Sequence, residues 1–438
     1  MKKILMTLTL LIVGIIGFST QAHAEGEEPH ADVWRLNFGE VFDAYLHISL
    51  FTYEDLESED IEPLYYAIYN AVWRIHDIST NYDNPYIYPL PGQTRDERKD
   101  DVETREARVS IRDINENPNV AHEVDPWLIE MLDLGIDIYN DPATNQRFNI
   151  AQGALFSVWK TYTDRCNMDQ ICELPSEEEL EAADQVNDPN LIDIDRVAQT
   201  VTIPEGMKLD LGGLAKGFAA QVVGDLLRDT PFVDAFLVDA GASSIEVFGD
   251  RPNVFEGLWR IGLTEPEAFG RILVPGGHTI GTSSGFQRYF RIQGDDTRYH
   301  HLIDPSTRFP AQFMQTVTVL SPDTMMVDLY KSIAFLMPLD DSIAFINSLD
   351  NVEALWVDND GDVHLSDGFE DIYTLEFYDN EETSLWIYAL GGLSALMILA
   401  VAGYFVATAL RPNKDDEVDY TTGESDKQDP AEPKNTSS

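Results

Sequence analysis

Asp328 and Ser332 stand four apart in SPDTMMVDLYKSIAFLM, a stretch with helical apolar spacing, so their oxygens project from one face. A carboxylate and a hydroxyl, joined by a main-chain carbonyl from a glycine turn, form the oxygen-rich set that a hard cation such as Mg²⁺ accepts. Magnesium keeps few protein ligands and completes its shell with water and phosphate oxygens. Spacing alone also allows Asp328 to be a solvated helix charge and Ser332 a filler. His301 and Asp304 flank two apolar residues in HHLIDP, and Pro305 stiffens the turn behind them. Histidine is the side chain best able to accept a proton near neutral pH, although a loop histidine is often plain surface.

The third group is KLDLGGLAKGFAAQ, residues 208–221, around which the chain is organised. A β-like run, VTIPEGMKLDL, meets Gly212 and Gly213, and the segment AAQVVGDLLRD then reads as a helix. The glycine pair lets the backbone turn sharply and approach a ligand. The helix that follows points free N–H groups and its positive dipole end at whatever sits over the turn. Asp210 before the turn and Lys216 after it are the polar groups such a site would use. The pattern is neither a dinucleotide fingerprint nor a P-loop, and a bare strand–helix connection would look the same. Together the three groups supply a glycine turn, a lysine, a magnesium set and a base, which is phosphate-handling chemistry.

The elements that must position these groups interleave without a βαβ beat, so the fold class expected is α+β. Residues 33–53 alternate like one or two strands, and 60–80 have the spacing of an amphipathic helix. Asp125 and Pro126 cap a helix over 124–140. Residues 148–162 read as a helix leading into a cysteine loop, and 176–185 as another helix. Beyond the glycine turn, FLVDAGASSIEVFG is strand, turn, strand; LWRIGL, RILVP, HTIGTSS, YFRIQ and TVTVLS are further strands. Residues 83–108, rich in proline and charge, read as an exposed excursion.

Lys2 and Lys3, an apolar run and Ala22-His23-Ala24 form a signal peptide over 1–24, followed by a disordered lead-in over 25–32. Residues 385–410 carry no charge and exceed the roughly 20 residues a membrane helix needs. Arg411 and Lys414 then place the acidic, disordered tail 411–438 in the cytoplasm. The alternative for 385–410 is a buried core helix. Between the two apolar runs lies a region over 33–375, long enough for two lobes, with a linker over 376–384. The expected location is therefore the cell membrane, single-pass, with the main domain outside. The chain has 29 basic and 77 acidic residues, a net charge of −48, which argues against nucleic acid. A solvated acidic surface suited to high salt accounts for this balance. Cys166 and Cys172 lie in a polar stretch of an exported chain, where a small disulfide is favoured over a metal site or a catalytic thiol.

From about residue 40 to 370 the chain resembles the ApbE family of FAD:protein FMN transferases. The motifs, in order, are FDAY, Asn115 in IRDIN, VDPWLIEML, NQRFNIAQGALFSVWK, LDLGGLAKGFA, DAGASSIEVFG, TSSGFQRYF, RYHHLIDPSTRFPA and the helix around VDLYKS. The resemblance implies an ApbE-like, T-fold-like two-lobed domain with mixed or antiparallel sheets. It implies Mg²⁺ as cofactor and FAD as substrate, with FMN esterified to a threonine hydroxyl of an exported redox protein and AMP released. Gly213, Asp328 and Ser332 would hold the metal, Ser332 standing where the family usually has threonine. Tyr82, Arg147, Phe148, Asn149, Asp210, Lys216 and Leu302 would contact FAD. His301 would take the proton from the acceptor, with Lys216 and Asp328 as the other catalytic groups. The chain departs from the family pattern at Val109, Gln221 and Arg308 and in a shortened TSSGFQRYF segment. The same site would also serve an FAD pyrophosphatase giving FMN and AMP, or a surface protein that binds FAD without reaction.

Overall fold

The protein is described by a computed structural model covering residues 31–378 apart from 43, 82–107 and 242. Eight strands form one sheet: β1 (Asp32–Val41), β2 (Ala44–Thr52), β3 (Ala235–Ala240), β4 (Ser244–Phe248), β5 (His278–Ser284), β6 (Thr316–Ser321), β7 (Glu353–Val357) and β8 (Val363–Leu365). They lie side by side in chain order, every neighbouring pair antiparallel. The helices are insertions between neighbours. The excursion 53–234 carries α1 (Ser58–Ser79), α2 (Pro126–Asn140), α3 (Gly153–Asp169) and α4 (Ala215–Arg228). After β6 come α5 (Thr324–Phe335) and α6 (Leu339–Asn347).

Alternation along the strands sorts the sheet into two faces. Phe236 and Val238 of β3 pack with α1 and α4, whereas Ala235 and Val247 face a three-stranded sheet built from 259–263, 270–274 and 374–377. On the helix-facing side, the middle of the sheet turns polar. Ser244 and Glu246 of β4 lie opposite Gly281 and Thr279 of β5, all turned toward α4 or α5. The cleft opens next to this polar patch, at Asp239, Gly241, Ser243 and Thr282 to Ser284.

Several expectations are met residue by residue. Asp125 accepts the N–H of Trp127 with Pro126 in the first turn. Asp323 caps α5 through Met326 N–H. Others are corrected. The approach to the glycine corner is strand only over 200–202, with a single bridge from Lys208 to Gln152, because Asn115 and not a neighbouring strand satisfies Leu209. Residues 148–152 are not helical, and α3 continues through Cys166, which is buried and disulfide-bonded to Cys172. YFRIQ shrinks to a two-residue pairing of Tyr289–Phe290 with Tyr299–His300. The described residues up to Tyr378 form one compact unit, not two lobes, since the eight-stranded sheet runs unbroken through them. The strand Thr374–Phe377 carries the folded region past residue 375. No helix among the described residues is long and apolar enough to cross a membrane. The signal peptide, the 385–410 span and Tyr82 lie outside the described residues.

Candidate active site

The corner at 210–217 is built by fixing its approach. Asn115 clamps the backbone of Leu209 from both sides, its Nδ2 donating to the carbonyl at 2.9 Å and its Oδ1 accepting the N–H at 2.7 Å. Asp210 then turns its carboxylate onto Gly212 N–H at 2.8 Å. Burial pushes the Asp210 carboxyl up, against the pull of that N–H and of Lys216. Gly213 is required by packing: a Cβ there would stand 2.9 Å from the Phe148 ring.

Helix α4 begins just past this corner with no capping side chain of its own. Its cap comes from across the fold: Gly217 N–H donates to Asp328 Oδ2 at 2.9 Å. A carboxylate at a helix N-terminus answers both the free N–H groups and the dipole. Asp328 Oδ1 accepts the Ser244 hydroxyl at 2.9 Å and lies 2.6 Å from Lys331 Nζ. Burial alone would raise the Asp328 pKa; the charges of Lys331 and Lys216, with hydrogen bonds from Lys331 and Ser244, outweigh it and hold the group below the usual carboxylate range. Asp328 is therefore an anion held deep in the protein.

The two histidines divide their roles. His300 is buried, its Nε2 2.7 Å from the Ala311 carbonyl and its Nδ1 accepting Leu302 N–H, so both nitrogens serve the fold. Burial lowers its pKa to about 4. His301 lines the cleft. The crowded cleft wall, then Arg288, His300 and Lys216, lower it to about 3 even though the residue reaches solvent at the cleft mouth. It is neutral at physiological pH and able to accept a proton. Asp304 does not partner His301; it binds Arg147 Nη1 at 2.6 Å and caps the turn at Ser306.

These groups share one cleft of about 900 Å³, within the range of small-molecule sites. Its wall includes Arg147, Phe148, Asn149, Asp210, Gly213, Lys216, His301, Leu302, Asp328 and Ser332, every candidate among the described residues. Their contributions differ. Asn149 has its amide committed to Asn187 and Ala151, so its side chain shapes the loop. Arg147 keeps Nε buried with no partner among the described residues, while its Nη1 is committed to Asp304. Lys331, Ser243, Gln287 and Arg288 also line the cleft and were not singled out from the sequence. The spacing of Lys331, three after Asp328 on the same helix, was the signal available.

The donor chemistry suits a hard cation with few protein ligands. Asp328 is ionised and Oδ2 retains acceptor capacity beyond its one N–H bond. Ser332 spends its proton on the Asp328 carbonyl at 3.1 Å, which leaves its lone pairs available. No group of three or more His, Cys, Asp or Glu that could hold a metal occurs among the described residues, so any ion here would take most ligands from elsewhere.

The fold and site together are an all-antiparallel sheet layered with helices, opening into a cleft lined by a buried carboxylate, a glycine corner and the basic side chains of Arg147, Lys216, Arg288 and Lys331. A model of the ApbE family matches residues 93–356, more than half of the chain, and the chain belongs to that family. It is 28% identical over 225 residues to the FAD:protein FMN transferase of Klebsiella pneumoniae (strain 342), covering 50% of this chain and 66% of the relative. To the FAD:protein FMN transferase of Treponema pallidum (strain Nichols) it is 30% identical over 242 residues, 51% of this chain and 64% of the relative. The chain thus spans a little under two thirds of each relative's length. Two crystal structures share the fold: the ApbE protein of Thermotoga maritima MSB8, with TM-score 0.62, 22% identity and coverage of 78% of this chain and 99% of that one; and the apo flavinyl transferase ApbE of Pseudomonas stutzeri, with TM-score 0.61, 18% identity and coverage of 78% and 97%.

Proposed function

We propose that this chain is an FAD:protein FMN transferase, tethered to the cell membrane with its catalytic domain outside and acting on exported redox proteins. The observation that carries the reading is the convergence of the 210–217 corner, the buried Asp328–Ser332 pair and His301 on one cleft wall. The relatives' activity supports it, as does the disulfide, which suits an oxidising compartment.

Phosphoryl transfer asks a protein mainly to align reactants and to neutralise charge. Lys216 and Arg147, facing the cleft, would bind the diphosphate of FAD, with Phe148 and Leu302 as apolar wall. The acceptor threonine oxygen forms a bond to the FMN phosphorus while the pyrophosphate P–O bond breaks, and AMP leaves with the electron pair. His301 takes the hydroxyl proton. Burial first, then the charges of Arg288, His300 and Lys216, lowers its pKa in the free protein; a bound diphosphate would offset the Arg288 and Lys216 part and so strengthen the base. Asp328, Ser332 and the Gly213 carbonyl would hold Mg²⁺, which when bound supplies further neutralisation at phosphate oxygens.

The deciding experiment incubates the full chain with FAD, Mg²⁺ and an acceptor domain, followed by in-gel flavin fluorescence and chromatography of the soluble products. Covalent FMN on the acceptor with AMP released is the expected result. Free FMN and AMP with an unlabelled acceptor would mean a pyrophosphatase, and intact FAD a binding protein. His301→Gln lowers transfer by about 10²–10⁴-fold.

A further inference from the structure

Lys331 is buried in the wall of the cleft, 4% exposed. Its ammonium lies 2.6 Å from Asp328 Oδ1 and donates to the Ser243 carbonyl at 2.8 Å, the Ser243 hydroxyl and the Ser244 hydroxyl at 3.2 Å. Three donor hydrogens and a full positive charge are thereby satisfied without solvent. Asp328 Oδ1 already takes the ammonium and the Ser244 hydroxyl, while Oδ2 takes a single N–H. The carboxylate is compensated by a cation that belongs to the chain.

We propose that Lys331 is a built-in counter-cation for Asp328 that competes with a divalent ion at this carboxylate and so keeps the metal affinity of the substrate-free protein low. The proposal rests on the reading that Asp328 and Ser332 face such an ion. A divalent ion at Oδ2 would stand within a few ångströms of the ammonium, and like charges that close repel strongly in a site with little water. Substrate phosphates would offset the repulsion, so metal and diphosphate would each tighten the other's binding, as linkage requires. Lys331 touches the group that would hold the metal and acts on that ion's affinity through Asp328.

The test needs neither FAD nor turnover. Mn²⁺ is titrated by electron paramagnetic resonance into the full chain in detergent, as wild type, Lys331→Met and Lys331→Gln, each with and without Asp328→Asn. The expected result is Mn²⁺ binding on the order of tenfold tighter in both lysine variants, abolished by Asp328→Asn. Melting temperature supplies a second readout: the variants, whose buried carboxylate has lost its nearest cation, melt lower in chelator and regain stability with Mn²⁺, whereas wild type responds weakly. Unchanged or weaker Mn²⁺ affinity in both variants would overturn the proposal. Failure of both to fold with Mn²⁺ present would do the same, because the lysine would then be a structural need that no other cation meets. If Mn²⁺ binds as expected but no acceptor is ever flavinylated, the transferase reading fails while this one stands.

Discussion

Gly217 and Asp328 touch across 111 residues of sequence: the glycine N–H lies 2.9 Å from Oδ2, and a Cβ on the glycine would lie 2.6 Å from Asp328 Cβ. The first turn of α4 and the middle of α5 can approach this closely only because one of them lacks a side chain. Gly217→Ala must push the helices apart, an overpacking cost of about 1–3 kcal/mol. The same shift lengthens the bond that fixes the carboxylate. Urea unfolding is expected to show that loss, and transfer is expected to fall more than the stability change explains, since Asp328 is displaced while still present.

Asn115 stands just behind the cleft wall, one hydrogen bond from the lining residue Asn81. Its amide makes two bonds to Leu209, the residue before Asp210, and a third to Asn81 at 2.8 Å. Asn115→Ala leaves the Leu209 N–H and carbonyl without these partners, costing about 1–3 kcal/mol. The corner loosens where it meets a ligand, so KM for FAD is expected to rise with a smaller change in kcat. An unchanged KM with lowered stability would limit Asn115 to a structural role.

His300 makes stability depend on pH. Its folded pKa is about 4, against about 6.5 in an unfolded chain. Above pH 6.5 both states are neutral at this ring and its contribution is fully present. As pH falls from 6.5 toward 4 the unfolded chain takes up the proton first, so stability is lost across that window, by about 3 kcal/mol at most. His300→Gln keeps a donor for Ala311 but cannot titrate. Urea midpoints at pH 7 and pH 4.5 should therefore differ less for the variant than for wild type; equal differences would remove His300 as the cause.

What could be read from the sequence was local. Asp125-Pro126 and the i, i+4 placement of Asp328 and Ser332 each need only a helix, and the structure has those helices. HHLIDP gave His301 its place on the cleft, while the Asp304 partner, Arg147, lies 157 positions away and follows from no periodicity. The sheet was hidden for a similar reason. Its strands pair in chain order, but β2 meets β3 only after the excursion 53–234, and that interruption disguised a plain antiparallel succession. Lys331 was passed over because the spacing argument looked for oxygens, and a lysine on that face reads as solvated until burial is known.

Arg308 stands where the family pattern frequently has glycine, and its backbone shows the consequence, with φ at 63° in the left-handed region. The position is pinned on both sides: its N–H donates to the Asp304 carbonyl at 2.8 Å and its own carbonyl accepts Trp159 Nε1 at 2.8 Å. The residue cannot relax without giving up those bonds. A side chain in this conformation costs roughly 1–2 kcal/mol, and glycine avoids that at an entropic cost in the unfolded chain of about 0.5–1 kcal/mol. The ion pair of Arg308 with Glu181 is loose, at 3.7 Å, and partly exposed, so it offsets little. Arg308→Gly is therefore expected to raise the unfolding free energy by about 0.5–1 kcal/mol with an unchanged denaturant slope. A measured loss would mean that the guanidinium, through Glu181, contributes more than the backbone conformation costs, and Arg308→Lys would then fall between the two.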